Sequence, residues 1–175
     1  MPAPELFRQQ LLEALPRLRR YARSLQPEPA AADDLVQGTL ERALQHWRQF
    51  DPRRDLLVWL LSIAHNAHLD QLRRDQRYIA MAPEPLQSAR DALGPDPGVD
   101  IGLRLDLAAA FARLSAEHRA VLWLVGVEQL SYAECAEVLA LPAGTVMSRL
   151  SRARQALRAS LDGRPAGGAA LRRVV

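Results

Sequence analysis

The stretch SYAECAEVLALPAGTVMSRLSRARQAL, residues 131–157, holds two amphipathic runs joined by a corner of only a few residues. Ser131 followed by Glu134 has the spacing of a capping box, so a helix is expected to begin there. Leu141-Pro142-Ala143-Gly144 makes a tight connection, and Thr145 opens a second, longer helix. Along that second run Val146, Leu150, Ala153, Leu157 and Leu161 recur at helical spacing and form an inward stripe. Ser148, Ser151, Arg152 and Gln155 then project outward, flanked by Arg149 and Arg154. Two helices so closely joined have the layout of a helix-turn-helix. Short hydroxyls and guanidinium groups suit a DNA major groove, where an Arg can donate two parallel bonds to guanine O6 and N7. A structural helical hairpin with a soluble Arg face has the same spacing, and spacing alone leaves both readings open.

Upstream of this unit two further helices are expected, at about 104–114 and 116–128, giving a C-terminal segment of 103–162. Before it, residues 79–102 read IAMAPEPLQSARDALGPDPGVDIG. Four prolines there each remove a backbone donor and discourage helix at the preceding residue, so this is expected to be a flexible linker. An N-terminal segment of 1–78 precedes it. There Leu11, Leu15, Leu18, Ala22 and Leu25 recur at helical spacing until Pro27 and Pro29. A second helix is expected to start behind Asp33 and Asp34, whose carboxylates suit free amides and the positive end of the helix dipole. Leu35, Thr39, Ala43, Leu44 and Trp47 form its inward face. FDPRRD, residues 50–55, then makes a Pro-containing turn, and a long helix runs from about 56 to 77 with Leu60, Ile63, Ala64, Ala67 and Leu72 inward. The tail 163–175, GRPAGGAALRRVV, has no amphipathic period and is expected to be disordered. The fold class is therefore all-α, as two small helical domains.

Composition agrees: few aromatics and glycines, with Ala, Leu and Arg plentiful, favour helices over sheets. Net charge is only +3, but Arg clusters at 17–23, 73–77 and 149–158 create local basic faces able to meet phosphate. The single Cys135 excludes an internal disulfide and forms no metal cluster, and His65 and His68 lack partners for one, so neither metal nor cofactor is expected. No apolar run approaches the roughly 20 residues that span a bilayer, and MPAPELFRQQ lacks the layout of a signal peptide, so a cytoplasmic protein is expected.

Residues 131–157, with their GTV, SRL and RAR order, resemble the promoter-binding fourth region of extracytoplasmic-function sigma factors. AADDLVQGTLERAL, residues 31–44, and FDPRRDLLVWLLSIAHNAHLDQLRR, residues 50–74, resemble the second region of the same family. Both likenesses occur in the family's order, and together they cover about residues 10–160. SYAECAEVL and LWLVGVEQ further resemble the general-stress-response subgroup.

The resemblance implies a factor that brings core RNA polymerase to promoter DNA, is controlled by an anti-sigma factor, and catalyses nothing itself. Asp34, Leu35, Val36, Gln37 and Leu40 would dock on the clamp helices of the polymerase's largest subunit, with the flap as a further contact. Either Leu35 or Leu40 could instead be core. Gly38 stands where the family usually has Glu, which puts one polar contact in question and weakens the helix by about 1 kcal/mol relative to Ala. Phe50, Asp51, Arg53, Arg54 and Asp55 resemble the loop that receives a flipped base of the -10 element. Ile63 and Asn66 match positions lining its neighbour. Flipping costs a few kcal/mol, which hydrogen bonds to a base edge can offset. Trp59 is expected to anchor the loop from the core, while Arg73, Arg74 and Arg77 follow the DNA backbone without reading sequence. For the -35 element the implied set is Thr145, Met147, Ser148, Arg149, Ser151, Arg152 and Arg154. The family commonly has Lys or Arg at Met147, so one groove or phosphate contact is expected to be either missing there or replaced by an apolar touch on a thymine methyl. The main alternative is a sigma-like mimic that binds an anti-sigma protein and never DNA. Such a mimic has no use for the Arg set of the last helix, Asn66 or the FDPRRD loop. A plain helix-turn-helix repressor leaves the first segment unexplained. An enzyme is disfavoured by the lack of a nucleophile and base pair or a phosphate-cradling loop.

Overall fold

The computed structural model describes residues 3–26, 28–79 and 101–162, those at 76–79 and 101–105 by their backbone alone. The tail and all of the expected linker except its ends at 79, 101 and 102 lie outside the described residues. Seven α-helices occur among those described: α1 Glu5–Leu25, α2 Pro29–Gln45, α3 Leu56–Ile79, α4 Ile101–Ala112, α5 Ala116–Gly126, α6 Tyr132–Leu139 and α7 Ala143–Asp162.

In α1, Phe7, Leu11, Ala14, Leu18, Tyr21 and Leu25 are buried at alternating three- and four-residue spacing, the repeat that keeps one face of a helix against its neighbours. Helix α2 does not start behind Asp33 and Asp34 as expected. Pro29 occupies its first turn, where a missing N–H is harmless, and both aspartates lie exposed one turn further in. Its buried residues are Ala32, Leu35, Val36, Thr39 and Ala43, with the Thr39 hydroxyl donating to the Leu35 carbonyl at 2.7 Å. Leu44, expected inward, is 43% exposed, because it lies about 100° around the helix from Ala43. Asp55 starts α3 by accepting the Leu57 amide at 2.7 Å. Downstream, Ser115 caps α5 and the Ser131–Glu134 capping box opens α6 with both reciprocal bonds formed. Ala140 ends α6 in the left-handed region at φ 51°. Helix α7 buries Val146, Leu150 and Ala153, the first three positions of the expected stripe, while Leu157 and Leu161 are half-buried.

Helices α1, α2 and α3 pack on one another, as do α5, α6 and α7, with α4 laid on α7. The two groups also meet: α6 packs along α3, and α1 packs on α5. A single buried cluster runs through both, from Phe7, Leu18 and Leu60 to Trp123, Val138 and Leu150. Each fully buried Leu or Val contributes about 1.5–3 kcal/mol relative to exposure, so this shared core is a substantial attraction between the two halves.

Candidate nucleic-acid interface

The family-implied residues fall on three surfaces. On α2, Asp34 and Gln37 are exposed, Gln37 donating to Glu41 at 2.9 Å, and Leu40 is half-buried. Leu35 and Val36 are 6% and 5% exposed and belong to the core, so the surface open to a partner is formed by Asp34, Gln37, Gly38 and the edge of Leu40.

The second surface is the turn before α3 together with α3 itself. Phe50 is a packing anchor: its ring lies 5.3 Å from Trp59 and 5.9 Å from Phe7, centroid to centroid. The aromatic trio fixes the loop's base, which is the role expected of Trp59. Above it Asp51 accepts the Arg53 amide at 3.0 Å, closing the turn so that Arg53 and Arg54 point to solvent. Arg54 reaches across to Glu137 of α6, Nη2 to Oε2 2.8 Å. Along α3, Asn66 is exposed beside half-buried Ile63. Arg73 and Arg74 are exposed further along, Arg73 paired with Asp70 at 3.2 Å. The Arg77 side chain lies outside those described.

The third surface is α7. Met147, Ser148, Ser151, Arg152 and Arg154 are exposed, and Met147 presents 54% of its surface. Arg152 lies back along the helix, with Nε 3.4 Å from the Ser148 carbonyl. Tyr132, Met147, Arg154 and Arg158 line an open groove of about 270 Å³ between α6 and α7. Thr145 is half-buried. Arg149 departs from expectation: its side chain is only 20% exposed and pairs with Glu117 of α5 at 3.4 Å, so it is drawn toward the protein instead of standing free with Arg152.

Sequence reasoning missed the polar groups between the two halves. Glu128, at the α5–α6 corner, is buried. Its carboxylate accepts Arg17 Nε at 2.7 Å and Trp123 Nε1 at 3.3 Å and lies 4.0 Å from Arg20, while its carbonyl accepts Arg17 Nη2 at 2.9 Å. Charge-assisted bonds of this kind contribute about 1.5–3 kcal/mol each. Nearby, the buried Tyr21 hydroxyl lies 3.0 Å from His65 Nδ1. Burial pushes Tyr21 well above the usual phenol range, with the Cys135 thiol adding to it, and burial likewise pushes Cys135 up to about 11. His65 and His68 are both lowered to about 4, first by burial. His68 is 2% exposed, and neither of its ring nitrogens has a hydrogen-bond partner among the described residues. No group of three or more potential metal ligands comes together among the described residues, and no described helix is long and apolar enough to cross a membrane.

With this geometry in place, the chain can be set beside known proteins. The family description Sigma-70 region 2 matches residues 11–78, and Sigma-70, region 4 matches residues 104–157. The ECF RNA polymerase sigma factor EcfG of Rhodopseudomonas palustris is 36% identical over 162 residues, covering 92% of this chain and 88% of that protein. The ECF RNA polymerase sigma factor SigL of Mycobacterium tuberculosis is 40% identical over 147 residues, covering 83% of this chain and 82% of the other. Among solved structures, the sigma factor RpoE of Bartonella quintana, in complex with the anti-sigma factor NepR, superposes with a TM-score of 0.79 at 32% identity, over 91% of this chain and 99% of that one. Regions 2 and 4 in order, an all-helical fold and relatives matched over most of their length lead to one conclusion: the chain belongs to the extracytoplasmic-function RNA polymerase sigma factors.

Proposed function

We propose that this sigma factor binds core RNA polymerase through the exposed edge of α2, reads the -10 element with the 50–55 turn and Asn66, and reads the -35 element with the outer face of α7. The observation that carries the reading is the surface of α7, where Ser148, Ser151, Arg152 and Gln155 stand exposed together on the side opposite the core stripe, flanked by exposed Arg154. A mimic that only sequesters an anti-sigma protein would gain nothing from that face. The solved relative is bound to an anti-sigma factor, which supports the same class of partner for this chain. The test is run-off transcription with purified core polymerase and a pool of genomic promoters. Initiation at a limited promoter set is the expected result. Failure to form a holoenzyme at micromolar concentration, with helical folding verified by circular dichroism, would sink the reading.

A further inference from the structure

We propose that His65 and His68 make the packing of the two halves acid-sensitive: when these imidazoles take up protons the closed chain opens along the contacts of α3 with α6 and of α1 with α5, while each half stays folded.

The two residues lie one turn apart on α3 and are buried, 6% and 2% exposed. His65 faces the Tyr21 hydroxyl of α1 and is close enough to Arg149 of α7 for mutual repulsion. His68 is close in the same way to Arg119 of α5, whose guanidinium donates to the Leu114 carbonyl at 2.8 Å and is itself desolvated. From α6, Cys135 acts on Tyr21, whose hydroxyl faces His65, and remains a neutral thiol, while Glu134 and Glu137 are held by Ser131 and Arg54. On α3 itself, Asp75 favours a charged His68, but weakly against burial and Arg119. The second half therefore offers these imidazoles Arg119, Arg149 with its partner Glu117, and a thiol, and no carboxylate bonds to either ring. A proton on His68 would be a buried charge with no hydrogen-bond acceptor, an arrangement that is strongly unfavourable unless the group moves into water. The remaining polar links across the seam are Arg17 and Arg20 with Glu128, and Arg54 with Glu137.

The sign follows from the direction of the shift. The open form, with the rings in water, binds protons near the ordinary value of 6.5, whereas the closed form does so only near about 4. Closure is thus at full strength above the ordinary value and is lost as pH falls from there toward the closed value. For one imidazole the opening equilibrium rises about fourfold at pH 6 and roughly thirtyfold at pH 5, relative to pH 8 and above.

Small-angle scattering of the full chain across pH 8 to 5 tests this, with circular dichroism and the reactivity of Cys135 toward 4,4'-dithiodipyridine followed in parallel. The single thiol lies on α6, is fully buried and is coupled to Tyr21 of α1, so it reports separation of the halves. Expected is a rise in radius of gyration and in thiol reactivity at constant helix content. His68→Leu, which cannot titrate, should keep the chain compact to lower pH. If that variant does not fold, His68→Gln takes its place with the same expectation. A wild-type chain that stays compact with a protected thiol at pH 5 overturns the proposal. So does expansion that coincides with loss of helix, or a non-titrating variant that follows the wild-type curve.

Discussion

Gly38 and Ala140 are each placed where the other would serve better. Gly38 lies midway along α2, and a Cβ built there meets nothing within 4 Å. It therefore carries the full backbone-entropy cost of glycine with no close approach to justify it. Gly38→Ala should raise the unfolding free energy by about 1 kcal/mol. Ala140 has the opposite problem, since its φ of 51° brings its Cβ toward the following carbonyl. Its amide bonds to the Glu137 carbonyl at 3.2 Å, so the conformation is held by the end of α6. Ala140→Gly should add a similar stabilisation of about 1 kcal/mol at a helix end where glycine is the favoured residue. Both are measured as shifts in the urea midpoint at neutral pH. Destabilisation by Gly38→Ala would mean that α2 needs a flexibility at this position that its helical backbone does not reveal. Because Gly38 lies on the surface proposed to meet polymerase, the same variant also tests, by holoenzyme titration, whether a side chain is tolerated there.

At the level of elements, the sequence was legible wherever a helix buries a stripe of its own. The stripe of α7 and the capping box of α6 depend on residues within a few turns, and both stand as expected. The start of α2 was misjudged because two aspartates are a good N-terminal signal in general, while a proline four residues earlier is a better one here. The ion pair between Arg17 and Glu128 joins residues 111 apart, and no periodicity carries that information. Arg149 was misplaced for the same reason, since its partner Glu117 lies on another helix. What remains of the exposed sets separates by chemistry into a prediction. Arg152 on α7 is proposed to read a base edge, so Arg152→Ala should cost about 1–3 kcal/mol and relax preference at one position of the -35 element. Arg73 on α3, already shared with Asp70, should act through phosphate, so Arg73→Ala should weaken binding to all sequences alike and reduce the salt slope by about one. Transcription and salt-dependent holoenzyme binding on singly substituted promoters distinguish the two. Equal loss at every promoter for Arg152→Ala would make it a backbone contact.

For the whole molecule, the decisive relation is between the closed packing and the length of a promoter. Elements centred near -35 and -10 are about 25 base pairs apart, on the order of 85 Å of duplex at roughly 3.4 Å per pair. In the closed chain α3 and α6 are in direct contact, and Arg54 of the proposed -10 loop is bonded to Glu137 of the helix-turn-helix. On the proposed function, the two reading surfaces cannot reach both elements from that arrangement, so the halves are expected to part before a promoter is engaged at both ends. The opening free energy then subtracts from promoter affinity, because only the open fraction is competent. Weakening the contact without touching a DNA-facing residue should therefore raise activity. Glu137→Gln removes the charge that holds Arg54, and Glu128→Gln removes the one that holds Arg17 and Arg20, while both leave the shape of the side chain nearly unchanged. At subsaturating sigma factor each variant should give more transcript than wild type, and the excess should vanish once the factor saturates core polymerase. Thermal stability should move the other way, since the same bonds hold the shared core together in the free chain. If both variants lose stability yet transcribe no better than wild type at limiting concentration, the halves are already apart before polymerase is bound and their packing does not limit initiation.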